Sequence, residues 1–219
     1  MKRLALGLVL VVLFATSGAF AQASSKPIVG HFALGYAEPL GTAGDFVDAG
    51  WNISGGVTMH PNPQKPFGIR FDLGYSWFDA SNQAVDSANG SGAITKVDDG
   101  YASMGNLSVD GLYEFGGKGH IGGYFGAGIS SYTRYWSLTR EAIVSGIYCD
   151  PWTGWCYPYT TVGDAIVDND RLTKIGYNAV LAIAFPLQSG SEIYIEAAYH
   201  RMNTDPATEY LPIVLGWRW

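Results

Sequence analysis

The sequence predicts an all-β fold in which eight antiparallel strands close into a transmembrane β-barrel. Three observations support this prediction. Apolar and polar residues alternate along one segment after another, the connections between these segments are alternately short and long, and the last eleven residues form a strand with one wholly apolar face. Alternation with a period of two places one set of side chains on each face of a strand. A barrel in lipid shows this pattern with its apolar side chains outside and its polar ones inside.

The last strand, residues 209–219, has the most distinctive composition. From position 211 onward every odd position is apolar, and these positions are Leu211, Ile213, Leu215, Trp217 and Trp219. The other face is mixed and carries the cation Arg218. We expect this strand, which ends on an aromatic residue, to close the barrel.

The first residues predict a secretory signal peptide. Lys2 and Arg3 precede an apolar run over 4–14, and Ala19-Phe20-Ala21 forms a cleavage signal. The apolar run is too short to span a membrane. We therefore predict a signal peptide over 1–21 and a single barrel domain over 22–219, with no α-helical membrane segment.

The composition of the chain agrees with a lipid-facing barrel. Charged residues make up 15% of the chain, whereas a soluble domain has about 25%. Aromatic residues reach 14%, and barrels carry an aromatic girdle at each membrane interface. Without Lys2 and Arg3 the net charge changes from -6 to -8. This acidic balance argues against a nucleic-acid partner, which requires a basic face.

The eight predicted strands are 28–38, 50–60, 67–78, 101–115, 119–136, 171–185, 192–201 and 209–219. The third alternates without exception, with one face made of Phe67, Ile69, Phe71, Leu73, Tyr75 and Trp77. Connections after strands 2, 4 and 6 are short, whereas those after strands 1, 3, 5 and 7 are longer, with the longest at 79–100 and 137–170. Outer-membrane barrels have short periplasmic turns and long extracellular loops. A periplasmic amino terminus would place every long loop outside.

Three segments resemble the small eight-stranded outer-membrane proteins of the OmpA/OmpX type, and more loosely the OmpW-like barrels. They are Gly-Tyr-Ala-Glu-Pro-Leu-Gly at 35–41, Ile-Glu-Ala-Ala-Tyr-His-Arg at 195–201 and Tyr-Leu-Pro-Ile-Val-Leu-Gly at 210–216. The resemblance implies a location in a Gram-negative outer membrane and contact with its lipids and lipopolysaccharide. It also implies folding by the barrel-assembly machinery, which would recognise the strand ending at Trp219. It does not imply one activity, since a fold hosts many functions.

Ionisable residues occupy the face of the predicted strands that points into the barrel, because they cannot face hydrocarbon at low cost. They are Arg70, Asp72, Asp110, Glu114, Lys174, Glu196, His200 and Arg218. An eight-stranded barrel is just wide enough inside for side chains. The first interpretation is a lumen charge network that plugs the barrel. The alternative is a narrow polar conduit or ligand site, for which inward glycines such as Gly122 and Gly128 would leave space.

The 137–170 segment contains both cysteines, Cys149 and Cys156. In an exported protein this spacing predicts a disulfide. Aromatic residues surround the cysteines, namely Tyr148, Trp152, Trp155 and Tyr157. If exposed, they suit recognition of a surface, a glycan or a partner; alternatively, they pack on each other or rest at the membrane interface.

The sequence offers little support for a catalytic or a metal-binding site. Lipid A deacylases use a histidine and a serine two positions apart, but the residue two after His200 is Met202, which has no nucleophilic oxygen. We expect His200 to pair with Glu196. No D-x-D-x-D-G calcium pattern occurs, so we predict no metal, no cofactor and no enzymatic activity.

The sequence therefore predicts an integral outer-membrane protein with a structural or surface-interaction role through its long loops. The alternative is a narrow channel for a small solute, and a lipid-modifying barrel enzyme is a distant third. No motif identifies an extracellular partner.

Overall fold

The structure is a computed structural model that describes residues 26–90, 96–116, 120–149 and 155–219. The predicted signal peptide lies outside the described residues. Eight strands follow one another along the chain: β1 (Ile28–Leu40), β2 (Gly50–Met59), β3 (Phe67–Asp79), β4 (Asp99–Phe115), β5 (Gly122–Cys149), β6 (Cys156–Pro186), β7 (Glu192–Met202) and β8 (Thr208–Arg218).

Each strand pairs antiparallel with the next, and β8 pairs with β1, so the sheet closes on itself. Leu34 of β1 lies opposite Leu215 of β8 at this closure. Because the barrel is closed, it has no open sheet edge. A membrane-spanning sheet must be closed in this way so that its backbone groups are all paired. The prediction of an eight-stranded antiparallel barrel is confirmed.

The barrel has two different ends. Here the turn end is defined by the connections β2–β3, β4–β5 and β6–β7, and the loop end by the connections β1–β2, β3–β4, β5–β6 and β7–β8. The β1–β2 connection contains a 3₁₀ turn, Gly41–Asp45. The β3–β4 connection contains a short helix, α1 (Asn82–Gly90). Within the described ranges, no helix is both long and apolar enough to span a membrane.

The outer surface of the barrel is apolar between two aromatic bands. At the loop end, Trp77 stacks on Tyr101 with ring centroids 4.4 Å apart. At the turn end, Phe67 meets Tyr113 edge to face at 5.3 Å. Phe67 and Trp77 lie ten positions apart on β3. At about 3.3 Å per residue and a tilt of about 40°, the bands are about 25 Å apart, the height of the apolar band in outer-membrane barrels.

The prediction that 137–170 is a loop was wrong over most of its length. β5 and β6 continue as a paired hairpin from Ser137↔Asn169 to Cys149↔Cys156. The many threonine, isoleucine, valine and tyrosine residues of this segment favour extended backbone, and they outweigh the polar residues that suggested a loop. The register shifts between Leu138 and Thr139, which introduces a bulge at the base of the hairpin.

The 79–100 connection is also more ordered than a polar loop. Ser81 precedes α1, and its side-chain oxygen accepts the Ala84 backbone N–H at 3.2 Å, as an N-cap residue does. The side chain of Asn89 bonds both the N–H and the carbonyl of Val97, at 2.8 and 2.9 Å. These bonds lie within the connection and fix its conformation.

Two clusters of buried apolar side chains fill parts of the barrel interior. One contains Ala33, Leu112, Tyr124, Val180, Ala182, Ala184, Tyr194, Ala198 and Val214. The other lies at the loop end and is called the floor cluster below; it contains Ala37, Val47, Phe78, Ala102, Met104, Tyr132, Met202 and Tyr210.

Candidate functional site

The centre of the lumen is built around Arg70. Its Nε donates to Asp110 Oδ2 at 2.9 Å, and its Nη1 donates to Glu196 Oε2 at 2.6 Å. All three side chains are buried. The Tyr124 hydroxyl donates to the same Glu196 oxygen at 2.6 Å, and Asn178 Nδ2 donates to Asp110 Oδ1 at 2.7 Å. Each buried carboxylate therefore has a cation and a neutral donor, which offsets the cost of removing it from water.

A second group of charges lies nearer the turn end. Arg218 bonds Glu114 through Nη2, and its Nη1 lies 3.5 Å from Glu192. His60 Nε2 lies 3.2 Å from the other Glu114 oxygen, within ion-pair distance but without hydrogen-bond geometry. The Arg218 guanidinium also lies over the Tyr124 ring, 4.9 Å from its centroid. Tyr124 therefore contacts both charge groups.

A separate histidine pair lies in the same half of the barrel. His31 Nε2 is 2.6 Å from Asp72 Oδ1, and both side chains are buried. His31 sits on β1 and Asp72 on β3, with Gly56 of β2 between them in the register. The absence of a side chain at Gly56 leaves room for this contact across the intervening strand.

The expected pairing of His200 with Glu196 was wrong. His200 Nδ1 instead lies 3.0 Å from the Tyr132 hydroxyl, and the His200 ring stacks on Tyr210 at 4.7 Å. Glu196 is already bonded by Arg70 and Tyr124. His200 is thus an aromatic-packed residue beneath the floor cluster rather than a member of the ion-pair network.

Like His200, Lys174 is a predicted network residue that does not join the ion-pair network. It lies on the inward-facing set of β6 positions, together with Gly176 and Asn178, but it is exposed. In the register it lies opposite Tyr132 of β5, a member of the floor cluster. Because β6 continues beyond the barrel, this position lines an open cavity at the loop end. The other seven predicted residues are buried inside the barrel.

Little space remains around Arg70 in the described part of the lumen. Among the described residues, the free space beside Arg70, Asp72 and His200 is about 10 Å³. That volume corresponds to about one water molecule. Neighbouring atoms occupy the space beside the inward glycine Gly128, where a Cβ would meet Asp110 and the carbonyl of Val109.

The β5–β6 hairpin is the largest projection from the barrel. The last pair between β4 and β5 is Asp99↔Thr139, and the last pair between β6 and β7 at this end is Gly176↔Met202. Beyond these pairs, residues 140–149 are paired in the sheet only with β6, and residues 156–175 only with β5. At about 3.3 Å per residue, β5 extends about 33 Å beyond β4, and β6 extends about 66 Å beyond β7.

One face of the hairpin carries apolar side chains. Ile143 lies opposite Val162, and Ile147 lies opposite Pro158. Ile143 and Ile147 are 77% and 73% exposed. Positions 143 and 147 share a face, as alternate positions of a strand do, and the pair Ser145↔Thr160 lies between them. We call the four apolar residues of this face the hairpin strip (Ile143, Ile147, Pro158 and Val162).

The cysteines and the loop aromatics lie at the end of this hairpin. The register places Cys149 opposite Cys156, and their disulfide stays a prediction. Trp155 is 77% exposed. Trp152 lies outside the described residues, as do the side chains of Tyr148 and Tyr157.

Several partners in the lumen were not predicted. They are His31, His60, Tyr124, Tyr132 and Asn178. Their inward positions follow from strand alternation, which was the available signal. Which residue meets which across the barrel depends on register and strand stagger, which alternation does not contain. No group of three or more potential metal ligands occurs within the described part of the chain.

Comparisons with known proteins are limited to structure. No protein-family model matches the chain, and no curated protein does. Neisserial surface protein A matches with a TM-score of 0.52 and 11% identity, over 88% of this chain and 96% of that one. Ail of Yersinia pestis matches with a TM-score of 0.42 and 11% identity, over 89% of this chain and 100% of that one. The N-terminal β-barrel domain of Pseudomonas aeruginosa OprF matches with a TM-score of 0.42 and 11% identity, over 90% of this chain and 100% of that one. This chain has the eight-stranded antiparallel barrel fold of the small outer-membrane proteins.

Proposed function

We propose that this protein is an integral outer-membrane barrel with a closed lumen, whose surface hairpin makes contacts outside the membrane. The apolar band between two aromatic girdles supports membrane embedding. A periplasmic amino terminus would place the loop end outside. The same proposal includes contact with outer-membrane lipids and lipopolysaccharide. It also includes recognition of the last strand by the barrel-assembly machinery.

The observation that carries the proposal is the projection of the β5–β6 hairpin. Its outer edges have no neighbouring strand in the described structure. The hairpin strip is exposed and apolar, and Trp155 is exposed close to the same end. Exposed apolar patches on ordered elements are typical of interaction sites. A hairpin of this length gives such a patch reach beyond the polar headgroups, while the barrel serves as its anchor.

The filled lumen argues against the channel alternative. Ion pairs and hydrogen bonds occupy the polar layer, and the cavity beside Arg70, Asp72 and His200 has a volume of about 10 Å³. Conduction requires a continuous water-filled path. In a planar bilayer, inserted protein should produce no discrete conductance steps; reproducible steps would overturn the closed lumen.

The proposal is tested by removing the apolar character of the hairpin strip without shortening the hairpin. The variant carries Ile143→Ser, Ile147→Ser and Val162→Ser. Intact cells displaying it are compared with wild-type cells for retention on polystyrene and for cell–cell aggregation. The matched control carries Ser145→Thr and Thr160→Ser, which change residues at the same hairpin level but keep its apolar content.

We expect the serine variant to lose most of the retention conferred by the wild-type protein, while the control retains it. Equal amounts of folded barrel in the two strains must be verified by heat-modifiable electrophoretic mobility. Retention and aggregation equal to wild type in the serine variant would contradict the proposed role of the strip.

A further inference from the structure

We propose that the loop-end cavity binds a single-chain amphipathic molecule with one negative charge, of the fatty-acid class. The cavity has a volume of about 880 Å³. Sites for small molecules commonly enclose about 300–1,000 Å³. The space is therefore large enough to bury the apolar part of such a molecule. This site is distinct from the hairpin strip and does not depend on the role proposed for it.

The cavity is closed from below. Phe78, Met104 and Tyr210 of the floor cluster form part of its lining. Beneath them lie His200 and the hydrogen-bonded polar layer. A molecule that enters from the loop end thus meets a packed base, and the cavity acts as a binding site rather than as the entrance to a channel.

The charged residues of the lining are confined to one side, whereas apolar residues, Trp136 and Leu172 among them, occur on both. The side without charges comes from the β1–β2 connection, β3, α1 and β4, through Phe46, Val47, Phe78, Ala84 and Ala102. The charged side comes from β5 to β8, through Arg134, Asp170, Lys174, Arg201 and Glu209. A ligand that matches both sides must itself be amphipathic, with an apolar body and a small polar group.

Three cations and three acids line the charged side, and of these cations Lys174 is the one without an ion pair among the described residues. Arg201 Nη1 bonds Glu209 Oε1 at 2.8 Å, and Arg134 Nη2 lies 3.6 Å from Asp170 Oδ2. The Lys174 ammonium is therefore available to a carboxylate. The exposed acid Asp205 also lines the cavity, and its repulsion favours one negative charge over the higher charge of a phosphate.

The test uses a fatty acid that carries a photoreactive diazirine in its chain, with the full-length mature protein in phospholipid nanodiscs. Cross-linked peptides are mapped by mass spectrometry. A long-chain alcohol with the same diazirine provides the uncharged probe. Labelling of outward-facing Leu73 and Leu107, which are exposed on the barrel wall, reports ordinary contact with the lipid phase in the same sample.

With the fatty acid we expect labels on cavity residues such as Phe78, Met104 and Trp136. Lys174→Gln should lower this cavity labelling about fivefold, the scale of an exposed ion pair, without changing the labelling by the alcohol. The matched control Lys65→Gln, at an exposed position in the turn-end β2–β3 connection, should change neither. Ala207→Trp places a bulky ring in the cavity lining and should lower labelling by both probes.

Two results would overturn the proposal. One is labelling confined to the outward-facing residues, which would mean that the cavity does not take the chain. The other is an equal loss of acid and alcohol labelling in Lys174→Gln, which would mean that the lysine does not recognise the charge.

Discussion

Replacing Arg70 with methionine removes the cation shared by two buried carboxylates. In the wild-type protein Arg70 bonds Asp110 at 2.9 Å and Glu196 at 2.6 Å. Methionine retains much of the volume of the side chain but no charge. Asp110 would keep only its bond from Asn178, and Glu196 would keep only its bond from Tyr124.

The expected loss is about 3–5 kcal/mol in the free energy of unfolding, the cost of leaving buried charge without its partner. The penalty arises from the carboxylates that remain, so removing their charges should restore stability. The triple variant Arg70→Met, Asp110→Asn and Glu196→Gln should therefore lie within about 2 kcal/mol of wild type, because a neutral network avoids the desolvation cost. The single and triple variants should be strongly non-additive.

The assay is reversible urea unfolding of the barrel in phospholipid vesicles, followed by tryptophan fluorescence. Arg140→Met is the control, since Arg140 is an exposed residue of the projecting hairpin. We expect it to unfold like wild type. If Arg70→Met also unfolded like wild type, or if the triple variant were less stable than Arg70→Met, the network would not hold the lumen together as described.

Two further predictions concern the wall and the hairpin. Gly128→Ala should destabilise the barrel by about 1–3 kcal/mol, because its Cβ would meet the carbonyl of Val109. Gly111→Ala should be neutral, because a Cβ on Gly111 would lie in open space. Equal unfolding midpoints of the two variants would refute this packing. If Cys149 and Cys156 form a disulfide, alkylation before reduction should leave the intact mass of the protein unchanged. The double variant Cys149→Ser, Cys156→Ser should be cleaved faster by protease within the hairpin while the barrel stays folded. Prompt alkylation of the wild-type protein would exclude the disulfide.

Strand alternation was sufficient to predict the barrel. β3 shows why: Phe67 to Trp77 face outward at every second position, and polar or small residues face inward between them. The same rule assigned Arg70, Asp110 and Arg218 to the lumen. The extent of β5 and β6 was not predictable in this way. The hairpin residues of β5 beyond Thr139 pair only with β6 and enclose no packed lumen, so their pattern lacks the alternation that marks the barrel wall.

Contacts across the lumen were beyond the reach of sequence patterns for a different reason. Arg70 and Glu196 are separated by 126 positions, and they meet because the closed barrel and its stagger bring β3 and β7 to face each other. His200 illustrates the limit. It lies four positions from Glu196, and strand alternation puts both inside, yet its partners are Tyr132 and Tyr210. The cavity at the loop end likewise depends on how three connections pack, which no single segment encodes.

The proposed membrane topology requires that the outer wall of the barrel faces hydrocarbon and that the hairpin projects into water. The most direct measurement compares Leu73→Lys and Ile143→Lys by urea unfolding in phospholipid vesicles. Leu73 lies midway along β3 between the aromatic bands and is 65% exposed, and Ile143 is 77% exposed on the hairpin. We predict a loss of about 2–4 kcal/mol for Leu73→Lys and a change within about 0.5 kcal/mol for Ile143→Lys. Small and equal changes in both variants would contradict a membrane-embedded wall.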